Sequence, residues 1–485
     1  MQTNDQWTTG DFRRRGAVVL ELLAEFVDRG RGRDRPVVRV RAVDELTRIM
    51  ELDRLPAGGG IDDEGFRELV VVFLDHGPPV HHPAYTAHQI AVPHYASALA
   101  DLISGALANG MSVFEMGPAA GAVEIAVIDW MLAKIGWQPS GRNRDRQPVG
   151  DAVAGGGVLT HGGSLANLTA MLAARAAIAP EAWRWGTPDD LVVVAPECAH
   201  YSLSRAVATM GLGTSALLGA PADAFGRALP DAYPSLLDAI AAEGKTVMAV
   251  CANACATATG LYDPVREIGE LCRERGLWFH VDGAHGASAL LHPDESVRMD
   301  GVELADSVVW DAHKLLQTSA LCAAVLFRDG RRLFGAFQQD AVYVTDGERE
   351  IGHDFIPHQF ECTKAPLGLK LMLVLALAGE RGLSENIGAL WENTRRFSAR
   401  IGARDGFEVL CAPESNILCF RVEGDDGLQT RIRKTIMREG DFLLSQADVG
   451  GRRWLRMAVM NPLTDEATVE ALLDSIEELA AELLG

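Results

Sequence analysis

Two stretches of the chain decide its fold: FHVDGAHGASALL at 279–291 and VVWDAHKLLQTSALCAAVLF at 308–327. Each begins with a short apolar run that predicts a buried strand, and polar side chains follow each run at once. The first run ends at Asp282, and the second is followed by His313 and Lys314. In a sheet of parallel strands such residues gather at the carboxyl ends of the strands. The two stretches therefore predict an α/β domain with a polar site at that edge.

The surrounding region, about 150–330, alternates between two patterns. Apolar runs such as LVVVAP at 191–196 and TVMAVCA at 246–252 predict further strands, and amphipathic patterns at 164–178 and 263–275 predict helices. This alternation is typical of crossover units and predicts a mostly parallel sheet.

We divide the chain into three parts. Residues 1–88 look mainly helical and predict an N-terminal arm, and residues 89–367 form the large α/β domain. From 368 the pattern changes to helix, strand, charged helix, strand and closing helix, which predicts a small C-terminal α+β domain at 368–485.

The composition is that of an ordinary globular protein. The chain has 485 residues, of which 48% are hydrophobic and 23% charged, and its formal net charge is −21. No polybasic run offsets that charge, which argues against a nucleic-acid or anionic-membrane partner. The start lacks the apolar stretch of a secretory signal, and no run of about 18 apolar residues suggests a membrane span. We expect a cytoplasmic protein.

The eight cysteines are scattered, and none forms a CxxC pair. Cys251 and Cys255 are close in sequence, but they lie in an apolar stretch without a second pair of suitable spacing. We therefore expect buried, reduced thiols and no metal site.

Two motifs before Asp282 suit an anionic, planar ligand. In THGGSLAN, a turn at Gly163 and Ser164 opens an amphipathic helix, where backbone N–H groups and the helix dipole favour a phosphate. In APECAHYSLSRA, His200 stands just past a strand end, where its ring could lie flat on a planar cofactor. Taken singly, the first motif is an ordinary turn and the second a structural histidine.

Asp282 and Lys314 complete the pattern. A carboxylate at the end of an apolar strand is costly unless it is paired, and a protonated pyridine nitrogen is such a partner. Lysine is the side chain that forms an imine with an aldehyde cofactor. An anion turn, a histidine, an aspartate and a lysine in this order within one α/β unit are what a pyridoxal 5′-phosphate (PLP) site needs.

The sequence resembles the PLP-dependent group II amino acid decarboxylases, which act on glutamate, cysteine sulfinate, diaminobutyrate or aromatic amino acids. The resemblance runs from about residue 75 to 480 and includes HHPAYTAH, NGMSVFEMGPAAGAVEIAVIDW, CAHYSLSRA, HVDGAHGASALL, DAHKLLQTSALCAAVLF and RMAVMNP. It implies the aspartate-aminotransferase-like fold (fold type I) and a homodimer with its sites at the interface.

The resemblance also implies a role for each matching residue. Gly163 and Ser164 should touch the phosphate, and His313 should lie at the phosphate or the substrate carboxylate. His200 should stack on the ring, Asp282 should pair with the ring nitrogen, and Lys314 should form the Schiff base, so these three carry the catalysis.

Three positions depart from the family pattern. The usual Gly-Thr-Thr turn reads Cys255-Ala256-Thr257, where only Thr257 keeps a hydroxyl to contact the cofactor. Asn-Pro before the His-Lys pair is replaced by Asp311-Ala312. An arginine pair before the helix at 368 is replaced by Lys364-Ala365, which weakens the case for an arginine contact there.

The family's proton donor is a tyrosine on a loop after the lysine, here at about 336–360. Tyr343 is the only tyrosine of this loop, and Phe355 stands nearer the family position, with His353 and His358 close by. In some relatives a phenylalanine there accompanies oxidative conversion to an aldehyde. We favour Tyr343 or a histidine as the donor, and therefore an amine product, with an aldehyde synthase as the alternative.

The substrate is expected to be a small acidic amino acid such as glutamate, aspartate or cysteine sulfinate. Aromatic-acid relatives carry an aromatic pair where this chain has His88 and Gln89. Arg456 matches an arginine that binds the side-chain acid in other relatives, although aromatic-acid relatives can also have it. An aromatic substrate, or an inactive PLP-binding relative, stays as an alternative. The four intact residues Ser164, His200, Asp282 and Lys314 argue against the inactive relative.

Overall fold

The computed structural model describes residues 8–52, 60–139, 153–337 and 354–484. Within these residues a seven-stranded sheet forms the centre of the large domain, with strand order β1-β7-β6-β5-β4-β2-β3. The strands are β1 (Gly156–Thr160), β2 (Leu191–Pro196), β3 (Leu217–Ala220), β4 (Thr246–Asn253), β5 (Phe279–Asp282), β6 (Ser307–Asp311) and β7 (Ala323–Phe327). All neighbouring pairs are parallel except those made by β7. The predicted α/β class and mostly parallel sheet are confirmed.

Buried strands explain why this sequence forms a sheet with both faces covered. Every residue of β2, β5, β6 and β7 is buried, as near-continuous apolar runs require when helices pack on both sides. Trp310 and Phe327 are 0% exposed and Phe279 is 1% exposed, so large side chains fill the two layers between sheet and helices.

Helices connect the strands and cover the sheet. In the large domain the described helices are α4 (Tyr95–Leu107), α5 (Pro118–Ile135), α6 (Gly163–Ile178), α7 (Ala182–Trp185), α8 (Tyr201–Thr209), α9 (Tyr233–Ala242), α10 (Val265–Arg275) and α11 (Arg331–Ala336). Both α6 and α8 begin directly after a strand, β1 and β2 respectively, so their N-termini point to the carboxyl edge of the sheet.

The C-terminal part is a four-stranded antiparallel sheet packed with helices. Its strand order is β10-β11-β9-β8. Its elements are α12 (Gly368–Gly402), β8 (Phe407–Val409), β9 (Ile417–Val422), α13 (Asp426–Glu439), β10 (Ser445–Val449), β11 (Arg452–Ala458) and α14 (Glu466–Leu484). The chain departs from helical geometry at Gly379, where φ is 69° and α12 is kinked.

The N-terminal part comprises α1 (Thr9–Arg31), α2 (Val43–Ile49) and α3 (Asp63–Asp75). Arg14 and Arg15 of α1 form ion pairs with Asp63 of α3. Backbone hydrogen bonds from Thr86 to Leu443 and from Ala458 to Thr86 then tie the following segment to the small domain. None of the helices in the described ranges is long and apolar enough to cross a membrane.

Candidate active site

A cavity of about 280 Å³ opens at the carboxyl ends of β4, β5 and β6. The parallel register sets Asn253 beside Asp282, at the ends of neighbouring strands. All seven residues that the sequence assigns to the cofactor line this cavity: Gly163, Ser164, His200, Thr257, Asp282, His313 and Lys314. Residues up to 151 positions apart in the chain (Gly163 to Lys314) therefore meet at the predicted edge of the sheet.

The glycine turn is part of the cavity lining. Gly162 has φ 108°, in the region that favours glycine, and α6 begins at Gly163. A Cβ atom on Gly163 would lie 2.8 and 3.0 Å from the carboxylate oxygens of Asp311, so a side chain at 163 has no room. The backbone N–H groups at this helix start can approach an anion closely, as a phosphate site requires.

An unexpected carboxylate, that of Asp311, lies beside Lys314 in the cavity. Lys314 Nζ lies 3.2 Å from Asp311 Oδ2, and His313 Nε2 lies 3.7 Å from the same oxygen. The other oxygen, Oδ1, is buried without a hydrogen-bond partner among the described residues. Sequence reasoning noted Asp311 only as a departure from Asn; the structure adds it to the site, next to the amine of Lys314.

Asp282 is held in place from both sides. Its Oδ2 accepts a hydrogen bond from Asn167 Nδ2 at 2.8 Å, and its Oδ1 accepts one from the Ala284 backbone N–H at 3.2 Å. The side chain is part of a buried residue, 7% exposed, whose carboxylate lines the cavity. Hydrogen bonds from N–H groups stabilise a carboxylate's charge, so Asp282 is suited to pair with a cation in the cavity.

His200 presents its ring at the cavity wall. It is the N-cap residue of α8, and its Nδ1 accepts from the Ser202 backbone N–H at 3.3 Å. The Ser202 hydroxyl lies 2.8 Å from the same nitrogen. Burial lowers the pKa of His200, which favours a neutral, flat ring suited to stacking.

Sequence reasoning missed further polar residues of the cavity. Asn167, Asn253 and His285 line it, and His285 stands inside the quoted HVDGAH motif. Burial lowers the pKa of His285 to about 3, and its Nε2 lies 2.6 Å from Asn416 Oδ1. Position within a recognised motif was the one available signal for His285. Cys255 also lines the cavity, and burial raises the pKa of its thiol to about 11, so it stays protonated.

Arg456, in β11, is 6% exposed and is not among the described residues that line the cavity. Its guanidinium donates to neutral oxygens, namely the backbone carbonyls of Thr257, Ala258 and Ala87, Ser445 Oγ and Gln89 Oε1. Within the described residues no carboxylate forms an ion pair with it. Gln89 Nε2 is buried without a partner among those residues. His88 is exposed, and partial burial lowers its pKa, with the charge of Arg456 adding to the effect.

The structure describes only some of the residues considered for the proton donor. Tyr343 and His353 lie outside the described residues. Phe355 is 3% exposed, packs in the core of the large domain and does not line the cavity. Its ring lies 5.0 Å from Lys364 Nζ, and His358 Nδ1 lies 3.2 Å from the Asp354 carbonyl oxygen.

Lys364 does not line the cavity. It is fully buried, forms an ion pair with Glu124 and donates to the Leu159 carbonyl oxygen at 2.8 Å. Glu124 also accepts from the Leu159 backbone N–H at 3.0 Å, so the pair joins α5 to β1. The described residues contain no cluster of histidine, cysteine or acidic side chains that could hold a metal ion.

The model of the pyridoxal-dependent decarboxylase conserved domain matches residues 62–423. The chain belongs to this family. Acidic amino acid decarboxylase GADL1 from Bos taurus is 27% identical over 493 residues, covering 95% of this chain and 89% of the relative. Cysteine sulfinic acid decarboxylase from Mus musculus is 27% identical over 490 residues, covering 95% and 94%.

The comparison with solved structures agrees with this family assignment. The crystal structure of mouse CSAD has a TM-score of 0.88 and 25% identity, covering 98% of this chain and 99% of its own. Oryza sativa TDC, solved with PLP and tryptamine, has a TM-score of 0.88 at 23% identity over the full length of both chains, a likeness of fold. The predicted fold type is confirmed, and this pyridoxal-dependent decarboxylase uses PLP to decarboxylate an amino acid.

The cavity fits PLP on the features of this chain alone. The cradle at Gly163 leaves room only for backbone, Asp282 offers an oriented carboxylate, and Lys314 offers an amine. These are the three groups that a phosphate, a pyridine nitrogen and an aldehyde require. Covalent attachment at Lys314 and the other individual roles stay predictions.

Proposed function

We propose that this pyridoxal-dependent decarboxylase acts on a small acidic L-amino acid and releases the amine and CO2. The names of its relatives support an acidic substrate, since they include an acidic amino acid decarboxylase and a cysteine sulfinic acid decarboxylase. A diaminobutyrate decarboxylase from Acinetobacter baumannii is 26% identical over 468 residues, covering 92% of this chain and 87% of the relative, and it marks the competing class of small basic substrates.

The observation that carries the proposal is Arg456, a buried cation that contacts the backbone of the cavity-lining residue Thr257 and has no anionic partner among the described residues. No Phe, Tyr or Trp is among the described lining residues. Arg456 has only neutral acceptors there, so a substrate carboxylate would be its first anionic partner.

The residues divide the work of holding the reactants. Bound PLP supplies an electron-accepting ring when a bond to Cα breaks. Gly163 and Ser164 would hold the phosphate, Lys314 would bind the aldehyde carbon, and Asp282 would keep the proton on the ring nitrogen. His200 would cover one face of the ring and exclude water from it. Arg456 and its neighbour Gln89 orient a carboxylate of the substrate.

We propose an amine rather than an aldehyde as the product. After CO2 leaves, Cα needs an acid within about 3 Å or one water away. The sequence between 336 and 360 offers Tyr343, His353 and His358 for this purpose. Phe355 is buried in the core and is not among the described residues that line the cavity, which supports a proton donor at another position.

We also propose a cytoplasmic homodimer. Apolar side chains on α4 are exposed in the single chain, with Leu99, Leu102, Ile103 and Leu107 between 40% and 67% accessible. A contiguous exposed apolar face of this kind is typical of an interface. All eight cysteines are free, which supports a reducing compartment. Sedimentation of the wild type and of Ile103→Glu tests the dimer, and a monomeric, fully active wild type would contradict it.

A paired substrate panel tests the proposed substrate. L-Glutamate, L-aspartate and L-cysteine sulfinate are each compared with glutamine, asparagine, diaminobutyrate and tyrosine for CO2 release, with ammonia and peroxide assayed in parallel. We expect the acids to exceed their amides at least tenfold in kcat/KM, and no peroxide. Arg456→Lys should raise KM for the acid. Arg421→Lys is the matched control, because Arg421 is similarly buried in β9 but is paired with Asp426. Faster turnover of tyrosine or diaminobutyrate would refute the acidic substrate.

A further inference from the structure

We propose that Asn167 is a positioning residue that joins the two side chains facing the cofactor, Asp282 and His200, through one directed chain of hydrogen bonds. Asn167 lies on α6, one helical turn after the glycine cradle, and is 1% exposed. The sequence motifs did not point to it. Its amide is the branch point of a network that runs from the cavity into the core of the large domain.

The side of the amide nearest the cavity contacts both partners. Asn167 Nδ2 donates to Asp282 Oδ2 at 2.8 Å and to Ser202 Oγ at 2.8 Å. Ser202 Oγ in turn lies 2.8 Å from His200 Nδ1. A single NH2 group with two donors thereby serves the carboxylate directly and the stacking histidine through one hydroxyl.

The far side of the amide fixes its orientation. His280 Nε2 lies 2.9 Å from Asn167 Oδ1, and His280 is 0% exposed. Burial holds the pKa of His280 well below its usual range, so the ring is neutral and carries one proton. Because the carboxylate of Asp282 only accepts, the NH2 group of Asn167 faces it and Oδ1 faces His280, so the His280 proton is on Nε2.

This series of hydrogen bonds ends at the indole of Trp278, which can donate a hydrogen bond but cannot accept one. With Nε2 protonated, His280 Nδ1 must accept, and Ser307 Oγ lies 2.8 Å from it. Ser307 Oγ itself accepts from Trp278 Nε1 at 3.0 Å. Since the carboxylate of Asp282 only accepts and the indole of Trp278 only donates, every bond from Trp278 to Asp282 points toward the cavity.

Two consequences follow for the cofactor. The carboxylate of Asp282 receives a donated N–H that is aligned before PLP arrives, which stabilises its charge. His200 Nδ1 accepts from Ser202, so the histidine proton lies on Nε2 and the neutral tautomer is fixed. Asn167 acts through Asp282, which it bonds directly, and through His200, which it reaches by way of Ser202.

The first test replaces the amide in the full-length enzyme loaded with ¹⁵N-labelled PLP. Asn167→Ala removes the donor, and Asn167→Asp keeps the shape but sets a second carboxylate beside Asp282. Two carboxylates in contact share a proton, so neither variant should hold the ring nitrogen as the wild type does. We expect the ¹⁵N signal to move toward the unprotonated position. We also expect kcat to fall 10- to 100-fold, about 1.4–2.7 kcal/mol, with KM within threefold.

The second test acts one bond further away and needs no change at the cavity. His280→Gln keeps an N–H donor for Asn167 Oδ1, and His280→Leu does not. The glutamine variant should keep the wild-type ¹⁵N signal, while the leucine variant should lose three- to tenfold in kcat. In an Asn167→Ala background the leucine substitution should cost nothing further, because the branch point is already absent.

A buried amide outside the site provides a control that distinguishes a positioning role from a general loss of stability. Gln429 is 0% exposed and bonds the Val422 backbone in the small domain. Gln429→Ala should lower the unfolding temperature of the apoenzyme but leave the ¹⁵N signal and kcat unchanged. The proposal is overturned if Asn167→Ala keeps the wild-type signal. If that variant does not fold, the His280 pair decides, and equal signals in the leucine and glutamine variants overturn the proposal.

Discussion

Replacing Asp282 with asparagine is the sharpest test of the cofactor site. The present carboxylate accepts from Asn167 on one oxygen and from the Ala284 N–H on the other. An amide has one oxygen, so its NH2 group must face one of these donors or turn toward the ring nitrogen. In either case the side chain no longer carries the negative charge that is predicted to keep the ring nitrogen protonated, while its size is unchanged.

The magnitude follows from the burial of Asp282. Breaking a buried pair by removing one charge costs about 3–5 kcal/mol. At about 1.36 kcal/mol per tenfold change in rate, this range corresponds to a loss of roughly 150- to 5,000-fold in kcat, provided that the whole cost falls on the reacting state. PLP should still bind, because the cradle at Gly163 and the amine of Lys314 are untouched.

Single-turnover CO2 release and PLP content, measured on the same samples, provide the assay. Asp263→Asn is the matched control: Asp263 is a buried carboxylate that accepts from the Ala228 and Asn253 backbone N–H groups and does not line the cavity. It should lower stability with a much smaller effect on the chemical step. A kcat for Asp282→Asn within fivefold of the wild type would refute the pairing of Asp282 with the ring nitrogen.

The other predictions concern the lysine, the buried ion pair and acid stability. Lys314→Ala should abolish turnover and the borohydride-sensitive absorption near about 420 nm while the protein stays folded by circular dichroism; wild-type CO2 release would remove the central assignment. Lys364→Met should lower the free energy of unfolding by about 3–5 kcal/mol in urea, because it leaves Glu124 buried and unpaired, and adding Glu124→Gln should recover much of the loss. His285 is neutral in the folded state with a pKa of about 3, below its unfolded value, so its contribution to stability is complete above about pH 6.5 and is lost as the pH falls. Between pH 6.5 and 5 the apoenzyme should lose about 2 kcal/mol through this group, and an equal slope in His285→Gln would contradict the assignment.

The sequence predicted those parts of the molecule that depend on local pattern. Apolar runs that end in polar residues located β5 and β6, and therefore the edge at which Asp282 and Lys314 meet. The direction of β7 was not readable, because a fully buried apolar run looks the same in a parallel and an antiparallel strand. The positions at which this sequence departs from the family pattern could be read from the sequence, but the contacts that those residues make could not.

What the sequence could not supply were partners far apart in the chain. Asn167 and Asp282 are separated by 115 residues, and Lys364 and Glu124 by 240. An asparagine inside an amphipathic helix carries no mark of its partner, and a lysine before a helix looks like a surface residue. Their roles depend on which side chains the fold brings within 3 Å, and this distance is set by packing of the whole domain.

The start of α6 has a consequence for two of the predicted cofactor contacts. One rigid helix carries the cradle at Gly163 and, four residues on, the amide of Asn167 that holds Asp282. A four-residue step along a helix is about 6 Å. The predicted phosphate contact and the amide that orients Asp282 therefore stand on one helix, and motion of a surface loop does not change the distance between them. A substitution that displaces the start of α6 should therefore disturb both the predicted phosphate contact at Gly163 and the hydrogen bond to Asp282.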